Sequence, residues 1–323
     1  MNFSFTPEQD AVRAEARRFF GERVDVRAQI AMPGAHDPAL WKEMASLGLL
    51  GVAIPEALGG QGSSMVETCI VLEEAGRALL PGPFLPHSIA AMALARAGGD
   101  RELAQALASG EIVASATEDL NQVPCGAVAD VVTILRFQQP GIVRSFDAEE
   151  IESADLTRPL AHISPTAAEE QLEPVPLRAV ACVAVAAESV GTAEAALGSA
   201  TEYAKDRQQF GRAIGSFQAI KHKAADMLRA VEAARLAVYF AASAIDGSDG
   251  NAHVAAATAK VAANDALMRC AAENIQIHGG IGVTWEHDAH LYYRRALASS
   301  VMFGDSAGGR DLVARALFAG LDA

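Results

Sequence analysis

The sequence predicts a mainly α-helical protein with a small β segment set between two helical parts. Helix caps followed by apolar residues at helical spacing recur through the first third of the chain and again from Leu177 onward. Between them lies a β-branched run, Val131-Val132-Thr133-Ile134. Composition agrees. Hydrophobic residues make up 51% of the 323 and aromatics only 6%, with Ala, Leu and Val dominant, which suits helices that approach closely through small side chains.

The first helix follows Thr6-Pro7-Glu8-Gln9, where Thr6 can cap, Pro7 suits the first turn and Gln9 completes a capping box. Val12, Ala16, Phe19 and Phe20 then form one apolar face. A second helix starts at Asp37-Pro38, buries Leu40, Trp41, Met44 and Leu47, and stops near Gly48. A third follows the Gly59-Gly60-Gln61-Gly62 turn with Ser63 or Ser64 as cap, turns Val66, Ile70 and Leu72 inward, and ends before Leu80-Pro81-Gly82-Pro83. Val128, Val131 to Leu135 and Gly141-Ile142-Val143 then read as strands. This segment is short for a free-standing barrel or sandwich, so it is expected to pack against helices on both sides. From Leu177 on, helical stretches are separated by Gly211 to Ser216, Asp246 to Asn251 and Gly279 to Thr284, with Ile220, Met227, Val231 and Val238 as one apolar stripe. Short connections between long helices predict an antiparallel bundle of four or so. The expected units are 1–112, 113–175 and 176–323.

A formal charge of −14 with no run of Lys or Arg argues against nucleic acid or an anionic membrane as partner. Cys69, Cys125, Cys182 and Cys270 lie far apart and read as small buried hydrophobes rather than a disulfide or metal set. The opening MNFSFTPEQD has neither a basic nor an apolar leader region, which points to a cytoplasmic protein. The most apolar stretch, Leu177 to Val190, contains Arg178 and Glu188 and falls short of the roughly 20 residues of a membrane span, so it reads as a buried helix.

Two stretches stand out: Asp206-Arg207-Gln208-Gln209-Phe210-Gly211-Arg212 with Ser216-Phe217-Gln218, and Gln276-Ile277-His278-Gly279-Gly280-Ile281-Gly282. Taken with Ser46-Leu47-Gly48-Leu49-Leu50-Gly51-Val52-Ala53-Ile54-Pro55 and Leu72-Glu73-Glu74-Ala75-Gly76-Arg77, they resemble the acyl-CoA dehydrogenase family over nearly the whole chain. The resemblance implies an N-terminal helical domain, a shortened central β domain, a C-terminal four-helix bundle, FAD bound between subunits, and oxidation of an acyl-CoA thioester. In that reaction a carboxylate removes an α-proton while the β-hydrogen leaves as hydride to the flavin, with electrons passing to an electron-transfer acceptor protein.

Arg207 is the leading cofactor residue, because the planar donors of a guanidinium pair with two pyrophosphate oxygens at once. The resemblance assigns Gln209 and Phe210 to the same cofactor, often the neighbouring subunit's, with Gln218 weaker. The plain alternative is a helix-end cation beside a core aromatic. The resemblance also places Gln276, Gly279 and Gly280 near adenosine and pyrophosphate. Paired glycines let a backbone approach a ligand, although a glycine helix stop needs none. His278 reads as a packed histidine.

The chain also departs from the family. The family's usual Tyr-Glu-Gly-Thr falls on Met302-Phe303-Gly304-Asp305, so the catalytic glutamate is Phe303, which has no proton-accepting group. The alternative glutamate position on the preceding helix falls on Ala181. Asp305 is the one carboxylate close by, as a substitute base or as a solvated helix-end acid. Glu188 and Glu194 have no positional match. The family's loop against flavin and substrate is reduced to Ala116-Thr117-Glu118-Asp119-Leu120, where Thr117 either hydrogen-bonds the flavin edge or closes a strand-end turn. These features together resemble the short, glutamate-lacking subunit of actinobacterial α2β2 acyl-CoA dehydrogenases of sterol side-chain degradation, whose longer partner supplies the base. The alternatives are a structural subunit without productive flavin binding, and a homomeric enzyme using Asp305.

Overall fold

The computed structural model describes residues 5–97, 100–136, 139–173, 175 and 177–319. The first helical part comprises α1 (Pro7–Arg23), α2 (Val26–Ile30), α3 (Pro38–Ser46), α4 (Met65–Arg77), α5 (Phe84–Arg96) and α6 (Arg101–Ser109). The starts of α1, α3 and α4 follow the predicted caps, whereas α2, α5 and α6 were not predicted. Thr6 and Gln9 form the capping box of α1, Asp37 caps α3 by accepting the Ala39 and Leu40 amides, and Ser64 with Glu67 forms a second capping box on α4. Leu40, Trp41 and Met44 are buried as expected, but Leu47 is half-exposed. Leu47 is the C-cap of α3, where the backbone turns away and takes the side chain off the buried stripe.

The strands are β1 (Ala114–Thr117), β2 (Val123–Pro124), β3 (Val131–Ile134), β4 (Gly141–Val143), β5 (Phe146–Ile151), β6 (Leu160–Pro165) and β7 (Glu170–Gln171). They form two small sheets, β1-β3-β4-β7 and β2-β6-β5. β1 and β3 pair in parallel with Ala114 opposite Val131, and both are buried throughout, since α5 packs on them. β5, Phe-Asp-Ala-Glu-Glu-Ile, was not expected. Its acidic residues face solvent and its pairing to β6 fixes it, so no apolar run announces it.

The second helical part comprises α7 (Leu177–Asp206), α8 (Gln218–Asp246), α9 (Ala252–His278), α10 (Ala289–Val301) and α11 (Ser306–Ala319), joined where the separators predicted. Met227, Val231 and Val238 are buried and Ile220 half-buried. α7 corrects one expectation. The helix runs 30 residues, long and apolar enough to cross a membrane by length and composition, yet 78% of its most apolar window is buried. It is the central helix of the bundle, enclosed by α4, α8 and α9. All four cysteines are buried.

Glycine brings α4 and α7 into backbone contact. A Cβ on Gly76 would lie 2.0 Å from the Glu188 carbonyl oxygen, and one on Gly191 would lie 1.7 Å from that of Glu73. The Leu72 to Arg77 motif therefore has a packing reason. Its acids have an electrostatic one. Glu73 and Glu74 are buried and paired with Arg13 and Arg17 of α1 and Arg235 of α8, while the Tyr239 hydroxyl donates to Glu73.

A second buried cluster joins the β segment to the bundle. Arg295 of α10, fully enclosed, meets Asp155 at 3.0 Å and Glu188 of α7 at 2.8 Å, and donates to the Leu80 carbonyl. Arg158 meets the other Glu188 oxygen at 3.4 Å and Asp155 at 3.3 Å, and donates to Ser299. Two cations and two carboxylates balance, which removes the several-kcal/mol penalty of an unpaired buried charge. Burial opposes ionisation of Asp155, but Arg295 and Arg158 outweigh it and hold its carboxyl below the usual range.

Candidate functional site

The predicted residues fall into two groups at opposite ends of α7. At its C-terminal end, Gln208–Gln209 and Arg212–Ala213 pair as a hairpin whose two-residue turn is Phe210-Gly211. Both turn residues have positive φ, 53° and 76°, as a type I′ turn demands. Glycine takes this freely, whereas a phenylalanine there costs about 1–3 kcal/mol of backbone strain. Phe210 gains no burial in return: it is 92% exposed, so it is not the core aromatic of the plain alternative. Arg207 and Gln209 are also exposed, and among the described residues the Arg207 guanidinium has no hydrogen-bond or ion-pair partner. Gln218 opens α8 exposed, with its amide 3.0 Å from His222.

The second motif lies beside this hairpin, since the rings of Tyr203 at the end of α7 and His278 at the end of α9 stack at 4.2 Å. His278 is buried and its Nδ1 lies 2.8 Å from the Asn274 carbonyl, a packed histidine as expected. Burial lowers its pKa below the ordinary value. Gln276, Gly279 and Gly280 are exposed. Gly279 has φ +66°, a requirement of the helix stop, whereas Gly280 has ordinary φ and open space where a Cβ would stand. Among the described residues nothing requires glycine at 280. Ile281, Val283 and Trp285 follow, all exposed.

Thr117, Phe303, Asp305 and Ala181 gather at the other end of α7. Phe303 is buried with φ 54°, its carbonyl accepting from the Cys182 thiol at 3.4 Å. It is a wall of two cavities. One, about 200 Å³, is bounded by Thr117, Gln122, Ser153, Arg158 and Met302. The other, about 600 Å³, lies between the start of α7, the start of α9 and α11, with Arg178, Cys182, Lys260 and Asp305 on its lining. The Thr117 hydroxyl donates to the Asp119 carbonyl at 2.8 Å and accepts the Asp119 amide at 3.0 Å, so its turn occupies it. Asp305 is exposed and accepts the Gly308 amide at 2.8 Å, the cap of α11. Ala181 is buried with no polar group. Glu188 lies two turns beyond it but is tied to Arg295 and Arg158, and Glu194 is tied to Arg235 at 2.6 Å.

At about 1.5 Å per residue, α7 from Cys182 to Asp206 holds the two groups roughly 35 Å apart. The outward group suits the phosphate-bearing half of a dinucleotide: a free guanidinium, an unshielded glycine turn and an exposed aromatic. The smaller inward cavity, beside Thr117, suits the flavin ring less well, because it falls below the roughly 300–1,000 Å³ of small-molecule sites and the hydroxyls of Thr117 and Ser153 on its wall are both engaged in local turns. Sequence reasoning missed Asp155, Thr157, Arg158, Arg295 and Lys260. The polar string Asp155-Leu156-Thr157-Arg158 ahead of Pro159 was the available signal.

Comparison with known proteins agrees with the fold. Residues 6–111 match the acyl-CoA dehydrogenase N-terminal domain and residues 179–318 the C-terminal domain. The chain is 40% identical over 277 residues to acyl-CoA dehydrogenase IpdE2 of Mycobacterium tuberculosis, covering 85% of each. It is 36% identical over 280 residues to IpdE2 of Mycolicibacterium smegmatis, covering 86% of this chain and 88% of that one. Among solved structures, a variant of the Tcur3481-Tcur3483 steroid ACAD superposes with a TM-score of 0.89 at 27% identity, covering 98% of this chain and 99% of the other. The ChsE4-ChsE5 complex from Mycobacterium tuberculosis gives 0.89 at 25%, with the same coverage. The chain belongs to the acyl-CoA dehydrogenase family, a family of oxidoreductases.

Proposed function

We propose that this chain is the base-lacking subunit of a heteromeric, FAD-dependent acyl-CoA dehydrogenase, completing a flavin site whose catalytic glutamate a longer partner subunit supplies. The observation that supports it is the split along α7: exposed Arg207, Gln209 and Phe210 at one end and, at the other, the buried Phe303 where the family resemblance places the base. In this reading Arg207 pairs with the pyrophosphate, Gln276 and the Gly279-Gly280 backbone flank the adenosine side, and Gln209 and Phe210 cover the cofactor, with Gln218 behind them. Bound FAD supplies hydride acceptance. This chain's residues hold and shield it, and the partner's carboxylate takes the α-proton. Thr117 is left to its own turn.

The substrate class is an acyl-CoA thioester, and the steroid ACAD complex among the structural relatives supports a steroid-derived acyl group. An electron-transfer acceptor protein would take up the electrons that the reaction removes from the substrate. Purifying the chain alone and co-expressed with a longer homologue tests the reading by flavin absorbance and by dye-coupled dehydrogenation. Flavin and turnover are expected only in the co-expressed complex. A lone chain with a full flavin complement and turnover overturns the reading.

A further inference from the structure

The larger cavity beside Phe303 contains a charge that the chain itself does not neutralise. Lys260 of α9 is 3% exposed and lines this cavity of about 600 Å³. Its ammonium donates to two neutral acceptors, Asn264 Oδ1 at 2.8 Å and the Ser299 carbonyl at 2.8 Å, which accounts for two of its three protons. Among the described residues no carboxylate stands within ion-pair distance of it. Every other buried cation is treated differently. Arg158 and Arg295 each meet both Asp155 and Glu188. The cations at the cavity rim are also paired, Arg136 with Glu169 at 2.9 Å and Arg178 with Glu118 at 3.0 Å. Asp305 is exposed at the lining and committed to its helix cap.

We propose that this cavity is a binding site for a compact apolar molecule bearing a carboxylate, with the carboxylate received by Lys260. Leu135, Val175, Leu177, Ala256, Ala257 and Leu312 supply the apolar lining for its body. The volume lies within the roughly 300–1,000 Å³ typical of small-molecule sites. A carboxylate on Lys260 supplies the missing counter-ion and a charge-assisted hydrogen bond in a dry setting, where both are strongest. Burial, with Arg158 adding to it, lowers the Lys260 pKa to about 8, so the amine is mainly protonated at neutral pH and an anion there holds it so. The cavity adjoins Phe303, the base position of the dehydrogenase reading, but probe binding reports on it separately from flavin content and turnover.

Pyrenebutyrate and its uncharged counterpart pyrenebutanol, titrated into the purified full chain at neutral pH and followed by pyrene fluorescence, test the proposal. Three substitution states decide it. The unchanged chain is expected to bind the acid at least about 10-fold more tightly than the alcohol. Lys260→Met is expected to abolish that preference while leaving the alcohol's affinity in place. Leu312→Trp fills the cavity without touching the Lys260 bonds and is expected to weaken both probes by about 10-fold or more. Equal affinity of the unchanged chain for the two probes overturns the proposal, as does a preference that survives Lys260→Met. Should Lys260→Met fail to fold, unchanged binding in Leu312→Trp overturns it alone.

Discussion

Phe303 and Asp305 are two residues apart and sit in opposite settings. Phe303 is buried in a left-handed conformation between two cavities, whereas Asp305 is exposed and caps α11. Asparagine caps as well as aspartate, so Asp305→Asn should leave unfolding free energy nearly unchanged, while Asp305→Ala should cost about 1 kcal/mol in urea unfolding. Neither should alter turnover of the assembled enzyme, and loss of turnover in the Asn variant would make Asp305 the base. Lys260 gives a pH signature. Its folded pKa of about 8 lies below the ordinary 10.5, so between those values the unfolded chain binds more protons and stability rises with pH. Below the folded value the full penalty, on the order of 3 kcal/mol, is present. Urea unfolding from about pH 7 to 10 should show this rise in the unchanged chain and not in Lys260→Met, and parallel profiles would refute the assignment. At this scale the sequence singles out Arg207 as the leading cofactor candidate, because a local motif contains it. It does not show that Phe210 is 92% exposed, because an aromatic ordinarily means core and only the turn's geometry directs it outward.

Elements were legible where their signals are local. The capping box at Thr6, the serine cap at 63 or 64 and the separators after α7, α8 and α9 all lie within a few residues of the boundary they set. β5 was not, because its acidic side chains conceal a strand that exists only through pairing with β6. Nor was the meeting of α4 with α7, which depends on two glycines 115 positions apart coming to one crossing. That crossing separates two otherwise similar substitutions. Alanine is the better helix former by about 1 kcal/mol, so Gly198→Ala, with nothing within 4 Å of its Cβ, should stabilise the chain by about that amount. Gly191→Ala drives a Cβ into the Glu73 carbonyl and should destabilise by about 1–3 kcal/mol despite the same propensity gain. Thermal melts of the two variants should therefore shift in opposite directions.

For the whole molecule, α7 sets the distance between the two groups of candidate site residues. Its length keeps the outward group of Arg207, Phe210 and Gly280 roughly 35 Å from Phe303 and Thr117. The cluster of Asp155, Arg158, Glu188 and Arg295 locks the β segment to the bundle at the inner end. Sequence pattern could not show this, since Arg295 lies 107 positions from Glu188 and 140 from Asp155. The proposed cofactor, shared with a neighbouring subunit, would account for the strained, exposed Phe210, the exposed Gly280 and an Arg207 guanidinium without a partner among the described residues. The most direct measurement is the flavin-to-protein ratio of the complex purified with the unchanged chain and with Arg207→Ala. Loss of a bidentate charged contact, about 1.5–3 kcal/mol, should lower FAD affinity by about 10- to 100-fold and leave the complex depleted in flavin. An unchanged flavin ratio would contradict the account.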